Sequence, residues 1–261
     1  MEEILVVQKL TKVFGGVVAC KDLSFCVKQG EIKGLIGPNG AGKTTAFNLI
    51  TGVIPPTSGS ILFMGEELSG MKPHVIVKRG IVRTFQNIRL FQNLTVLENV
   101  IIALDQQNSN YSVGASILRL PGMKREERRV REAAMDYLRV MNLEQRADQT
   151  SSSLPYGLQR KLEIARALAS QPKLLLLDEP AAGMNPEESR ELARLIQKIR
   201  DDYHLSIILI DHHMDVIMDL CDSIAVINFG EKIAEGTPEE IQRNPDVLQA
   251  YLGEGYKRAK S

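Results

Sequence analysis

The sequence carries no surplus of charge: Lys and Arg number 32, Asp and Glu 32, and the formal net charge is zero. Chains dedicated to nucleic acid show a basic excess that draws phosphate, so nucleic acid is not expected as a partner. Cysteine is scarce. Cys20, Cys26 and Cys221 make an odd set with no C-x-x-C pair, which argues against a disulfide framework and for a reducing compartment. Each is expected to serve as a small buried hydrophobe. No run approaches the roughly 18 apolar residues of a spanning helix, and the opening MEEILVVQKL is acidic without an extended apolar stretch. Neither a signal peptide nor a membrane span is expected, so any membrane association is expected to come through a partner. What remains is a chain of 261 residues, 44% hydrophobic, enough for one large domain or a domain with a lobe.

Apolar periodicity divides the chain into three stretches. The first alternates as strands through Ile4–Val7, Val17–Cys20 and Leu23–Val27, then runs apolar from Ile32 to Ile36. It breaks into GPNGAGKTT and continues as a helix over Thr45–Ile50. A turn at PPTSG, a strand over Ser60–Met64, a helix near Pro73–Arg79 and a strand over Ile81–Phe85 follow. The middle, from about Leu90 to Leu154, holds helical patterns over Val96–Leu104 and Lys124–Val140 and no strand. Between them, QQNSNYSVGASILRLPG reads as an irregular connection. KREERRVR, Lys124 to Arg131, reads as a solvated helix face with i,i+4 pairs such as Glu127 with Arg131, a docking patch being the alternative. After Leu154 the β/α alternation returns, with strands over Lys173–Leu177, Leu205–Ile210 and Ser223–Asn228, a helix over Pro186–Arg200, and two short helices in GTPEEIQRNPDVLQAYLGEG. Leu174–Leu177 and Ile207–Ile210 are unbroken apolar runs, as in strands buried on both faces. An α/β core interrupted by a helical lobe and then resumed is the expected organisation.

Gly37-Pro38-Asn39-Gly40-Ala41-Gly42-Lys43-Thr44 fits G-x-x-x-x-G-K-[ST] between a strand and a helix. Its glycines let backbone N–H groups curl round phosphate oxygens, and the helix that starts through Thr45 adds positive potential. Lys43 is expected to reach the β- and γ-phosphates and the Thr44 hydroxyl to ligate Mg²⁺. The chain is therefore read as binding a nucleoside triphosphate. In LLLLDEP, Asp178 ends a buried strand, near where open parallel sheets place ligands. It is the expected holder of Mg²⁺ through water, with Glu179 beside it as general base. SSSLPYGLQRKLEIARAL opens a further helix, apolar or small at Leu158, Leu162, Ala165, Leu168 and Ala169. Proline is tolerated in a first helical turn, and a helix N-terminus suits an anion.

In this order the motifs resemble the ATP-binding cassette (ABC) family over essentially the whole chain. Gly37–Thr44 looks like Walker A, Gln86 in RTFQN the Q-loop, Leu154–Leu158 the signature, and Leu174–Glu179 Walker B. Ala181–Asn185 looks like the D-loop and His212 the switch histidine, while Phe14 takes the place of the aromatic that stacks on adenine, a core aromatic being the alternative. The resemblance implies an α/β P-loop NTPase (RecA-like) core with an N-terminal antiparallel β subdomain and an inserted α-helical subdomain. One domain over 1–261 is expected, with 1–89 and 158–261 as core and β subdomain and 90–157 as helical subdomain. ATP and Mg²⁺ are the implied cofactors. Gln86 would approach Mg²⁺ and sense a transmembrane partner, and His212 would contact the γ-phosphate, leaving His213 as a solvated loop residue. Through Gly157, the signature helix of one cassette would face the γ-phosphate held by a second cassette. The family usually reads Leu-Ser-Gly-Gly-Gln there, whereas this chain has Leu154-Pro155-Tyr156-Gly157-Leu158, and Asn185 stands where aspartate is usual. A lost charge-assisted hydrogen bond is worth about 1.5–3 kcal/mol, so a heterodimer with an unlike cassette is expected over a homodimer.

Within the family, IVRTFQNIRLFQNLTVLENV, LDEPAAGMNP and GTPEEI…NPDVLQAYLGE look like the ATPase subunits of branched-chain amino-acid importers. That implies a cytoplasmic ATPase held at the inner face of the cell membrane by permease subunits, and served indirectly by an extracytoplasmic substrate-binding protein. Gln86, Leu90 and Phe91 would lie near the groove where the permease docks, or serve as core in the case of Leu90 and Phe91. Importers of urea or other amides and some lipid exporters use similar cassettes. A soluble ABC ATPase acting on DNA or ribosomes fits less well. Too few residues separate Gln86 from Leu154 for a long coiled coil, and they hold no sustained heptads.

Overall fold

The computed structural model describes residues 2–107 and 123–258, so most of the irregular connection expected between the middle helices lies outside the described residues. In chain order the elements are β1 (Glu3–Phe14), β2 (Val17–Lys28), β3 (Ile32–Ile36), α1 (Lys43–Ile50), β4 (Ser58–Phe63), β5 (Glu66–Glu67), α2 (Pro73–Arg79) and β6 (Ile81–Arg83). The middle forms α3 (Val96–Gln107), α4 (Met123–Val140) and α5 (Tyr156–Ala169). Then come β7 (Leu174–Asp178), α6 (Pro186–Tyr203), β8 (Ser206–Ile210), α7 (Met214–Leu220), β9 (Ser223–Asn228), β10 (Glu231–Gly236), α8 (Pro238–Gln242) and α9 (Pro245–Arg258). The chain divides into two compact units, 1–83 with 173–261, and 84–172.

The first unit is built on two sheets. One is antiparallel, in the order β2-β1-β4-β5, and the other runs β10-β9-β3-β8-β7-β6 with every strand parallel except β10. Strands β3, β7 and β8 are buried at all five positions, the pattern of parallel strands covered on both faces. Helix α1 contributes Phe47, Leu49 and Ile50 to the same core as Leu5, Leu10 and Leu23 of the antiparallel sheet and Ile208 of β8. Each such side chain contributes about 1.5–3 kcal/mol of burial, and together they fix α1 at the end of β3. Register then aligns the strand ends: Ile36 pairs with Val226, and Asp178 with Ile210. Gly37, Glu179 and Asp211 therefore leave the sheet at one edge. Beside that edge α6 starts with a reciprocal cap. Asn185 Oδ1 accepts from the N–H groups of Glu187 and Glu188, and Glu188 Oε2 accepts from that of Asn185. An aspartate would cap the same way, so the departure at Asn185 leaves this helix start intact.

The second unit is helical, with α3, α4 and α5 packed on one another. Asn99, fully buried in α3, accepts from the Phe91 N–H and donates to the Phe91 and Thr95 carbonyls, which fixes the chain entering that helix. The unit takes in α5, which packs on α3 and α4, and so extends beyond the 90–157 expected for the lobe. Strand β6 stops at Arg83, two residues short of its expected end. From Phe85 the backbone carbonyls are taken by a side chain, Arg160, instead of a neighbouring strand. On α4 Arg125, Arg128, Arg129 and Arg131 are exposed, and Arg131 reaches Asp148, off its own helix, at 3.6 Å in place of the expected Glu127.

Candidate functional site

The loop after β3 is shaped by close backbone approaches. A Cβ on Gly37 would lie 1.9 Å from the Ile227 carbonyl oxygen, and one on Gly42 2.5 Å from that of Ala19. Gly42 also has φ of 106°, a left-handed conformation that side chains resist. The loop is tied on both sides: Ala41 N–H donates to the Pro38 carbonyl, and Gly230 N–H donates to that of Ala41. Gly42 is the N-cap of α1 and supplies no side-chain cap, so the first-turn amides are left to whatever the loop encloses. Asn39 to Thr45 line a cavity of about 210 Å³ together with Ala19, Glu179 and His212. Lys43 is 6% exposed, and its ammonium donates to the carbonyls of Gly37 (2.6 Å) and Pro38 (2.9 Å).

The acidic pair follows β7. Asp178 is buried, and its Oδ2 accepts from Arg83 Nη2 at 2.6 Å. Glu179 takes φ of 48°, unusual for a residue with a side chain, and its N–H donates to the Ile210 carbonyl at 2.7 Å. Strain of this kind, about 1–3 kcal/mol, clusters at functional sites. The turn delivers Glu179 Oε1 to 2.6 Å from His212 Nε2. His213 goes elsewhere, its Nδ1 2.7 Å from Asp211 Oδ1. Asp211 Oδ2 in turn accepts from the Ala181 N–H, pinning the start of the segment after Glu179. The structure thus brings the phosphate loop, Glu179 and His212 to one cavity. Phe14 stands half-exposed at the end of β1 with the Lys12 ammonium 5.1 Å over its ring, outside the lining of that cavity.

Gln86 and Gly157 belong to the second unit. Pro155 is the N-cap of α5, with ψ of 151°, one position ahead of the first turn. Its carbonyl accepts from the Leu158 and Gln159 N–H groups, and the Gln159 side chain donates back to the Leu154 carbonyl at 2.8 Å. Gly157 sits in the first turn. One turn on, Arg160 is wholly buried and donates to the carbonyls of Phe85 and Gln86 (2.7 Å each), to Glu163 Oε2 (2.7 Å) and to the Tyr156 hydroxyl (3.2 Å). Glu163 Oε1 accepts from the N–H groups of Phe85 and Arg89. Burial pushes the Glu163 carboxyl above its usual range, against the opposing pull of Arg160. The backbone around Gln86 is therefore gripped by an Arg–Glu pair on the helix that Leu154–Leu158 opens.

Sequence reasoning missed Arg160, Glu163 and Arg83. The first two are charges three apart on a helix whose other buried positions are apolar, and the third ends an apolar strand. Those placements were the available signal.

A family model described as ABC transporter matches residues 20–182. A second, described as Branched-chain amino acid ATP-binding cassette transporter, matches residues 231–257. The High-affinity branched-chain amino acid transport ATP-binding protein BraF of Pseudomonas aeruginosa is 45% identical over 96% of this chain and 98% of its own length. Escherichia coli (strain K12) LivG, described in the same words, is 44% identical over 97% and 99%. The Lipopolysaccharide export system ATP-binding protein LptB of that strain is 34% identical over 97% and 98%. Among solved structures, the ADP conformation of MJ1267, an ATP-binding cassette of an ABC transporter, superposes with a TM-score of 0.83 at 30% identity, covering 97% of this chain and all of the other.

Proposed function

The chain belongs to the ABC transporter family, and from that premise we propose that it is the ATP-hydrolysing, energy-coupling subunit of a membrane importer of branched-chain amino acids. The observation that carries the activity is the single cavity lined by Asn39–Thr45, Glu179 and His212. The transport assignment rests on the identity to BraF and LivG and on the match over 231–257. Identity to LptB, an export protein, is ten points lower than to LivG, which favours import.

Backbone N–H groups of the loop from Asn39 to Thr45, that of Ala41 excepted, cradle the phosphates, and Lys43 exchanges its two loop carbonyls for β- and γ-phosphate oxygens. Phe14 stacks on adenine. Among the described residues no group of three or more His, Cys, Asp or Glu is placed to hold a metal. Mg²⁺ is held through one or two carboxylates, with other oxygens and water completing its shell, and the buried Asp178 carboxylate, the Thr44 hydroxyl and the Gln86 amide oxygen are donors of that kind. Thr44, Asp178 and Gln86 would hold it. Bound there, Mg²⁺ would supply neutralisation of the charge that builds on the phosphates. Glu179 accepts the proton of the attacking water, and His212, already 2.6 Å from Glu179, orients that carboxylate and reaches the γ-phosphate. Gly157 and the start of α5 complete a site on a second, unlike cassette. Two permeases hold the pair at the cytoplasmic face of the membrane and an extracytoplasmic binding protein supplies the substrate.

Glu179→Gln tests the chemistry. It is expected to keep ATP affinity and lose turnover by about 100-fold or more, the usual worth of a general base. Equilibrium dialysis with labelled ATP and a phosphate-release assay measure the two. Turnover within tenfold of the parent would remove Glu179 from the role of base.

A further inference from the structure

Arg83 ends β6 with a side chain 5% exposed. Its guanidinium is engaged on two sides: Nη2 lies 2.6 Å from Asp178 Oδ2, and Nη1 lies 2.6 Å from Asn48 Oδ1. Its Cζ stands 5.3 Å from the centroid of the Phe47 ring. Asn48 and Phe47 both belong to α1, the helix that begins at Lys43. One rigid planar group therefore joins the carboxylate at the end of β7 to the helix that carries the phosphate loop.

The terminal torsion of an aspartate is broad and roughly two-fold. A buried carboxylate on a strand end thus needs a second group to fix the plane in which its oxygens lie. Arginine suits this task, because its donors form a fixed fork where a lysine offers a point charge on a flexible stem. Groups that orient a metal ligand in this way weaken metal affinity by about 10–100-fold when removed.

We propose that Arg83 is a positioning residue for Mg²⁺: through its fork on Asp178 and Asn48 it sets the rotation of the Asp178 carboxylate and so the coupling between metal and ATP binding. This rests on the assignment of Asp178 to the metal. A merely structural Arg83 would lower stability and leave that coupling alone, so the quantity to measure is the ratio of ATP dissociation constants in EDTA and in saturating Mg²⁺.

The experiment uses the full chain, with the ratio measured by equilibrium dialysis for Asp178→Asn, Arg83→Lys and Asn48→Ala. In Asp178→Asn the ratio is expected to collapse towards one; an unchanged ratio there defeats the assignment of Asp178 itself. With that control in place, Arg83→Lys keeps the charge without the fork, and the ratio is expected to fall about 10-fold or more with affinity in EDTA unchanged. A parental ratio in Arg83→Lys overturns the inference, since charge alone would then suffice. If Arg83→Lys does not fold, Asn48→Ala decides, because it leaves the ion pair and frees the other side of the fork. A fall of about threefold or more supports positioning, and an unchanged ratio overturns it.

Discussion

Replacing Arg160 with methionine removes the charge that answers Glu163 and the two hydrogen bonds it donates to the carbonyls of Phe85 and Gln86. Breaking a buried ion pair from one side costs about 3–5 kcal/mol, because the remaining charge is stranded. Each lost hydrogen bond from Arg160 adds about 1 kcal/mol. A loss of about 5 kcal/mol is expected, as large as the whole stability of many domains. The double variant Arg160→Met/Glu163→Gln removes the stranded charge and retains an acceptor for the Phe85 and Arg89 N–H groups. It is expected to recover about 2–4 kcal/mol, the signature of two coupled sites. Urea titration followed by far-ultraviolet circular dichroism reads both. At a slope of about 3 kcal/mol per molar, the single change moves the midpoint down by more than about 1 M. Burial already raises the Glu163 carboxyl, and without Arg160 it rises further. The folded form then holds a proton that the unfolded form has released. Stability of the single variant should therefore recover as pH falls through that raised value, with the full penalty present only above it. A double variant no more stable than the single, at neutral pH, would refute this account of the pair.

Gly42→Ala places a methyl group 2.5 Å from the Ala19 carbonyl at φ of 106°. It should lower ATP affinity by about tenfold or more, as expected for about 1–3 kcal/mol of backbone strain, and parental affinity by calorimetry would contradict the loop geometry. Burial raises the Cys20 thiol to about 11 and pushes Cys221 up as well; Cys26, also raised by burial, is only half-buried. At pH 8, iodoacetamide should label Cys26 first in the native protein and the other two only in urea, and mass spectrometry showing equal rates would contradict that burial.

Much of the fold was readable because the clearest signals are contiguous. Leu174–Leu177 and Ile207–Ile210 are apolar without a break and became β7 and β8. Strand β10 and helix α7 were not anticipated. EKIAEG carries charges at an edge position and becomes a strand through its pairing with β9, which no local pattern announces. The same division holds in the site. Gly37–Thr44 and Asp178-Glu179 are runs of neighbours, so their chemistry shows in the order of letters. Arg83 and Arg160 take their meaning from partners 95 and 74 residues away, and only the folded chain supplies those.

Strand β3 leads into the phosphate loop, yet both strands beside it, β9 and β8, come from the last third of the chain. A ribosome adding about 5–20 residues per second takes about 10–30 s to pass from Ile36 to Ser206. Over that interval the loop motif is complete in sequence while β3 has unpaired edges on both sides, a condition that invites wrong pairing. The Cβ-tight approaches that shape the loop need Ile227 and Gly230, which emerge later still. Nucleotide binding is thus a late acquisition of the nascent chain. A chain stopped short of β8 carries every residue of the loop and no strand to pair with β3.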